Sequence, residues 1–218
     1  SDTVAASQQN NFAVSISETT DGGVKIATGF SLTDEGGAES NASGLTLTFT
    51  DGSSLQLIEA GSASAAHAVS VPGASGELGI SNTSTNNSAG ALTVGHGSDA
   101  VGFDYATAAD AFGIDGFKAS ISASFNDDVA ASTDASTATL ENSYAVGVTY
   151  VTTAGDSTVT IGGGYNAGNY NSTVATKDTA VYQAGISAVT GDLTVGAGYA
   201  SGDIIRSGDT GGTSWLLR

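Results

Sequence analysis

The side chains able to do chemistry are few and far apart. His67 and His96 are the two histidines, and neither has a Cys or a second His at ligand spacing. A zinc site needs several such donors brought to one point, and the H-E-x-x-H pattern is absent. Cys is missing altogether, which removes disulfides, thiolate ligands and thiol nucleophiles together. Serines are plentiful, yet none stands in the G-x-S-x-G elbow that exposes a nucleophile between a strand and a helix. A hydrolase would need Ser, His and an acid converging on one face, and neither His falls near such a group. Gly162-Gly163-Gly164 and Gly22-Gly23 offer backbone N–H groups to a phosphate, but no helix follows and no Lys-Ser/Thr pair completes a phosphate loop. Glycines on a strand read instead as positions of close packing or as part of a wall.

Charge is lopsided. Five Lys and Arg stand against 22 Asp and Glu, a formal net charge of −17. The bases are Lys25, Lys118, Lys177, Arg206 and Arg218, each alone in sequence. Binding a polyanion needs a cluster of them, so no nucleic-acid partner is expected. Acids gather at Asp34, Glu35 and Glu39 and at Asp127 and Asp128, inside long polar segments. They read as solvated loop charge. The alternative is Ca²⁺ held between loops, since that ion takes carboxylate and carbonyl oxygens, although no Asp-rich calcium loop or Gly-Asp repeat supports a dedicated site. Neither a cofactor nor a metal-ligating residue is assigned.

The elements that must position these groups are strands. Helical spacing is rare, with one partial exception in Ala60–Val71, where Ala63, Ala66, His67 and Ser70 could share a face. Period-two alternation recurs along the rest of the chain. Val24, Ile26, Thr28, Phe30 and Leu32 alternate with Lys25, Ala27, Gly29 and Ser31, and Val101, Phe103 and Tyr105 with Gly102, Asp104 and Ala106. The clearest run sets Phe117, Ala119, Ile121, Ala123 and Phe125 against Lys118, Ser120, Ser122 and Ser124. Rows led by Tyr144, Val159, Tyr182 and Leu193 follow. Short turns such as Asp21-Gly22-Gly23, Asp51-Gly52, Gly155-Asp156 and Gly191-Asp192 carry hairpin chemistry. Between them lie longer connections at 34–44, 60–91, 126–142, 166–179 and 201–214. Short and long alternate throughout, as in an up-and-down meander with its tight turns at one end and its loops at the other.

No apolar run reaches the roughly 18 residues of a transmembrane helix, but a barrel strand crosses with about 9–11 alternating residues. Aromatic rings fall near strand ends on the apolar face: Phe30, Phe49, Phe117, Phe125, Tyr144, Tyr150, Tyr165, Tyr182 and Tyr199. In lipid they would form two interfacial girdles. The expected fold is therefore all-β: one domain over 1–218, an antiparallel up-and-down transmembrane β-barrel or a large segment of one, with roughly ten to twelve strands. The opposite face, rich in Gly, Ser and Thr, would be the lumen wall, with Lys25, Asp104 and Lys118 on it. The polar opening from Ser1 to Asn11 reads as a processed terminus or as a chain whose beginning is missing.

From Phe12 to Pro72 the sequence resembles a known family. The run from Ser17 through Thr19-Thr20-Asp21-Gly22-Gly23-Val24 to Phe30 looks like the T-x-D-G-G hairpin of alphaproteobacterial porins. A polar loop, Leu45–Thr50, Asp51-Gly52 and Leu55–Gly61 follow as they do there. Val101–Tyr105 and Ile114–Phe125 are similar to a later hairpin of that family. The resemblance covers roughly Phe12–Asp203; the family's first strand and its last, ending in an aromatic, have no counterpart, which suggests a partial chain. It implies that 60–91, with Ala65-Ala66-His67 and Val71-Pro72-Gly73-Ala74, is the loop that folds inward and narrows the pore. Glu59, His67 and Glu77 are then the pore-constriction candidates. It also implies a homotrimer in the outer membrane of a Gram-negative cell.

The function expected is passive diffusion of small hydrophilic solutes, without catalysis. The candidate constriction loop carries Glu77 with Glu59 just before it and no Lys or Arg, so a weak to moderate preference for cations is expected, partly opposed by Lys25 and Lys118. A secreted or virion surface structural protein or adhesin shares the acidic Gly/Ser/Thr/Asn composition and is the rival reading.

Overall fold

Rows of β-branched and aromatic residues facing rows of Gly, Ser and Thr suit a pleated ribbon with two unlike environments. In a computed structural model the chain forms one sheet of eleven antiparallel strands, hydrogen-bonded in chain order. The structure describes residues 11–33, 41–57, 63–69, 101–125, 140–170, 178–203 and 212–217. The strands are β1 (Asn11–Thr19), β2 (Lys25–Thr33), β3 (Asn41–Thr48), β4 (Ser54–Leu57), β5 (Val101–Ala106), β6 (Phe117–Phe125), β7 (Leu140–Ala154), β8 (Ser157–Tyr170), β9 (Asp178–Thr190), β10 (Leu193–Asp203) and β11 (Gly212–Leu217). One helical turn, α1 (Ala63–Ala66), follows β4, and a 3-10 turn, Ala111–Gly113, joins β5 to β6. No described helix is long and apolar enough to cross a membrane; a barrel crosses with strands. β1 and β11 are the two edges of the described sheet.

The tight turns work as their residues suggest. Gly155 and Gly191 adopt φ of 61° and 56° between β7 and β8 and between β9 and β10, a left-handed backbone that Gly enters without a Cβ penalty. In the β3–β4 turn the Asp51 carboxylate accepts from the Ser53 N–H at 2.9 Å and the Ser53 hydroxyl at 2.6 Å. Those bonds, the hydroxyl's first, hold the carboxyl below the usual carboxylate range.

Register puts the polar rows on one face. Lys25 pairs with Thr48 and Thr48 with Ser54, while Gln56 pairs with Asp104 and Asp104 with Ser122. Ser120 pairs with Gly147, Gly147 with Gly164, and Gly164 with Gln183. On the other face Phe117 pairs with Tyr150, Ile121 with Val146, and Tyr165 with Tyr182. Burial is inverted relative to a water-soluble domain. The buried strand side chains are mainly Ser120, Ser122, Ser124, Ser143, Asn166 and Gln183, whereas much of the apolar row is open, from 36 % exposure at Ile26 to 65 % at Val101. Phe125 and Tyr144 meet edge to face with centroids 5.8 Å apart, and Tyr182 lies 5.8 Å from Tyr199. Phe117 and Phe125 stand at the two ends of β6, about 27 Å apart at about 3.4 Å per residue. Tilted by about 40°, that span rises about 21 Å along the membrane normal, most of an apolar band about 25 Å tall.

Several boundaries differ from the sequence reading. β8 runs on to Tyr170 and β9 starts at Asp178, so Asn166 is a strand residue and not the start of a loop. β7 begins at Leu140 and β3 at Asn41. Gly212–Leu217 forms β11 against β10, where the sequence suggested a connection and then no strand. At Tyr170, Asp178 and Asn41 backbone pairing continues into polar sequence, because a ladder needs N–H and C=O groups and not hydrophobes.

Candidate functional site

The segment from Ala63 to Val69 lies across the polar face, where α1 packs against β5, β6, β7 and β8. Ala63, Ser64, His67 and Val69 are buried against the sheet, and Ala65 and Ala66 point away. The helical face read from sequence is therefore half right: Ala63 and His67 share it, and Ala66 does not. Among the described residues the helix is a single turn, Ala63–Ala66.

Glycines make the contact possible. A Cβ on Gly147 would collide with the Ala63 carbonyl oxygen, one on Gly162 would stand 2.5 Å from the His67 carbonyl oxygen, and one on Gly164 would stand 2.6 Å from the Ser64 hydroxyl. A Cβ on Gly185 would meet the Val69 Cβ at 2.8 Å. Gly147 pairs with Gly164 and Gly162 with Gly185, so three neighbouring strands present a continuous bare track. Gly163 lies between two of them in sequence but on the other face.

Polar groups fix the segment along this track. The Ala63 N–H donates to the Ser122 hydroxyl at 2.9 Å. The His67 Nδ1 is 2.6 Å from the Thr149 hydroxyl and Nε2 is 2.8 Å from the Ser120 hydroxyl. A neutral imidazole gives one donor and one acceptor, and the two hydroxyls supply the complementary roles. Gln183 Nε2 donates to the Ser64 carbonyl at 2.5 Å and to its hydroxyl at 3.0 Å. Burial, and after it the Lys118 ammonium, hold the His67 imidazole below its ordinary value of 6.5. Among the described residues the Asn166 amide and Gln183 Oε1 are buried with no hydrogen-bond partner.

The sequence candidates separate clearly. His67 is a pin of the segment. Lys118 pairs with Thr149, the hydroxyl that holds His67, and Asp104 pairs with Ser122, the hydroxyl that holds Ala63. Both therefore border the segment on the polar face. Lys25 is on the same face but on β2, away from the strands that carry α1. Glu59 and Glu77, with the acidic loop residues Asp34, Glu35, Glu39, Asp127 and Asp128, lie outside the described residues. Among the described residues no group of three His, Cys, Asp or Glu is placed to hold a metal. The pinning residues Ser120, Ser122, Thr149 and Gln183 went unassigned in the sequence, and strand glycines such as Gly162 and Gly164 were read as wall or close-packing positions without the segment they accommodate. Their one visible signal was a run of Gly and hydroxyl residues on the polar rows of β6 to β8.

The arrangement is a strand wall with a hydroxyl-rich face, a chain segment laid across that face, and an apolar face turned outward. The sequence model of Gram-negative porins matches residues 1–217. The chain belongs to the Gram-negative porin family. No curated protein matches it. Membership places the porin in the outer membrane, which accounts for the half-exposed apolar rows: they face lipid, and the Ser, Thr and Gly rows face the interior.

Proposed function

We propose that the porin conducts small hydrophilic solutes by passive diffusion through a water-filled lumen, and that the 60–91 loop sets its narrow part. The observation that carries this reading is the pinned segment Ala63–Val69 on the polar face. A loop that merely covered a strand wall would not need a bare glycine track beneath it and three strands' worth of hydrogen bonds around it.

We further propose a weak to moderate preference for cations and assembly as a homotrimer. The net charge of −17 is not the reason. Charges in outer loops are screened within a Debye length of about 8 Å at about 0.15 M salt, while charges at a constriction act through a field focused by low-dielectric walls. Glu59 and Glu77 flank or belong to the loop. Asp104 adds to them on the wall, and Lys118 and Lys25 oppose them.

Reversal potential in a planar bilayer across a KCl gradient tests the preference. The expected sign is that of cation permeation, strongest at low salt, with Lys118→Gln raising the selectivity and a Glu59→Gln, Glu77→Gln double variant lowering it. Anion selectivity in the native porin, or a value unmoved by the double variant, overturns the proposal.

A further inference from the structure

The β5–β6 turn, Thr107–Gly116, sits at the tight-turn end of the sheet, which in outer-membrane barrels is the periplasmic end. The other tight turns carry Asp and Gly at their tips. This one carries Phe112, 81 % exposed, and Ile114, 48 % exposed. A single exposed hydrophobe is ordinary, but this pair sits on a turn built to hold it. Asp110 Oδ1 accepts from the Gly116 N–H at 2.6 Å. Ile114 N–H donates to Ala111 O at 3.2 Å, Phe117 N–H to Ile114 O at 3.1 Å and Val151 N–H to Gly116 O at 2.9 Å. Phe112 itself has φ of 60° and ψ of 20°, a left-handed backbone that an L residue with a large side chain adopts at a cost. Strain of this kind persists where surrounding structure imposes it, and it gathers at functional positions.

The direction of the Phe112 ring identifies the partner. It packs on Phe117 with centroids 6.0 Å apart. Phe117 belongs to the outward apolar row and pairs with Tyr150. Phe112 therefore continues the lipid-facing aromatic girdle past the end of the strand. Asp110 and Asp115 on the same turn are exposed and keep a water-facing side. An aromatic ring is favoured at headgroup level, where one edge is apolar and the other wet.

We propose that this turn is a membrane anchor, with Phe112 and Ile114 seated in the headgroup–acyl boundary of the periplasmic phospholipid leaflet. The test replaces Phe112→Trp in a Trp215→Phe background, so that the full chain carries one indole, and refolds it into phosphatidylcholine vesicles. The expected result is blue-shifted emission and loss of more than half the intensity when the lipids are brominated near the headgroup, with a smaller loss for bromine at the chain ends. Ile114→Trp in the same background should behave alike and supplies the reading if the first variant does not fold. Water-like emission, quenched by acrylamide and untouched by brominated lipid in both variants, overturns the proposal and leaves the turn to a periplasmic protein partner.

Discussion

His67 is the residue on which the candidate constriction turns. Its two hydroxyl partners come from β6 and β7, so one imidazole ties the segment to two strands. Neutral hydrogen bonds contribute about 0.5–1.5 kcal/mol each, net. His67→Ala should therefore raise the fraction of time the segment spends off the wall by about fivefold to a hundredfold. In single-channel recordings that is more open-state noise and a changed mean conductance; traces like the native porin's would remove His67 from the role. The sign with pH follows from the lowered pKa. The free imidazole takes a proton more readily than the seated one, so the contribution to seating is complete above 6.5 and is lost as pH falls through the seated value. Acidifying the bath well below 6.5 should then reproduce the His67→Ala noise. His67→Gln, which keeps a donor and an acceptor but does not titrate, should remove that response while the background titration of loop carboxylates persists. A native porin whose noise is flat across this range would refute the link.

At the scale of elements, the glycine track on β7, β8 and β9 decides whether a segment can lie on the wall at all. Gly164→Val sets two effects against each other. A β-branched residue favours a strand by up to about 1 kcal/mol, but its Cβ would sit 2.6 Å from the Ser64 hydroxyl and 2.7 Å from the Ser64 Cα, and overpacking of this kind costs about 1–3 kcal/mol. The backbone of the segment must yield, since the strand is held on both sides. The expected outcome is a sheet as resistant to urea as the native one and a conductance that differs from it; an unchanged conductance would show that the segment does not bound the pore. The sequence made the strands legible, because Phe117–Phe125 and its neighbours alternate without interruption. The same alternation put Lys118 and Asp104 on the polar face, whereas His67 was singled out by the resemblance of its loop to that of the family. It did not show what lies on that face, since period two reports which way a side chain points and not what packs against it. Ser120 and Ser122 looked like any wall hydroxyls. Asn166 and Gly212–Ser214 were assigned to loops because strand ends here are polar. Phe112 escaped notice because it breaks the alternation and belongs to a turn.

At the scale of the whole molecule, the inside-out distribution of side chains is the property that membership of an outer-membrane family explains, and it can be tested without measuring transport. Ile121 is mid-strand on β6, 49 % exposed, with Val146 as its cross-strand neighbour. Leu193 is on the same outward face at the start of β10, 64 % exposed, next to the Thr190–Asp192 turn. If both faced water, a lysine at either position would change stability by no more than about 0.5 kcal/mol, and the more exposed Leu193 would differ little from Ile121. If both face lipid, depth governs the cost. A lysine near the bilayer midplane costs about 2–4 kcal/mol, and near the interface about 0–1 kcal/mol, because there its long stem lets the ammonium reach water. The prediction is therefore an ordering: Ile121→Lys lowers the free energy of unfolding from vesicles by about 2–4 kcal/mol, and Leu193→Lys by about 1 kcal/mol or less. Equilibrium urea titrations in phospholipid vesicles, read by tryptophan emission, give both numbers. Equal small effects would mean that the apolar rows are covered by something other than lipid. Equal large effects would mean that Leu193 lies far deeper than its place beside the tight turn allows.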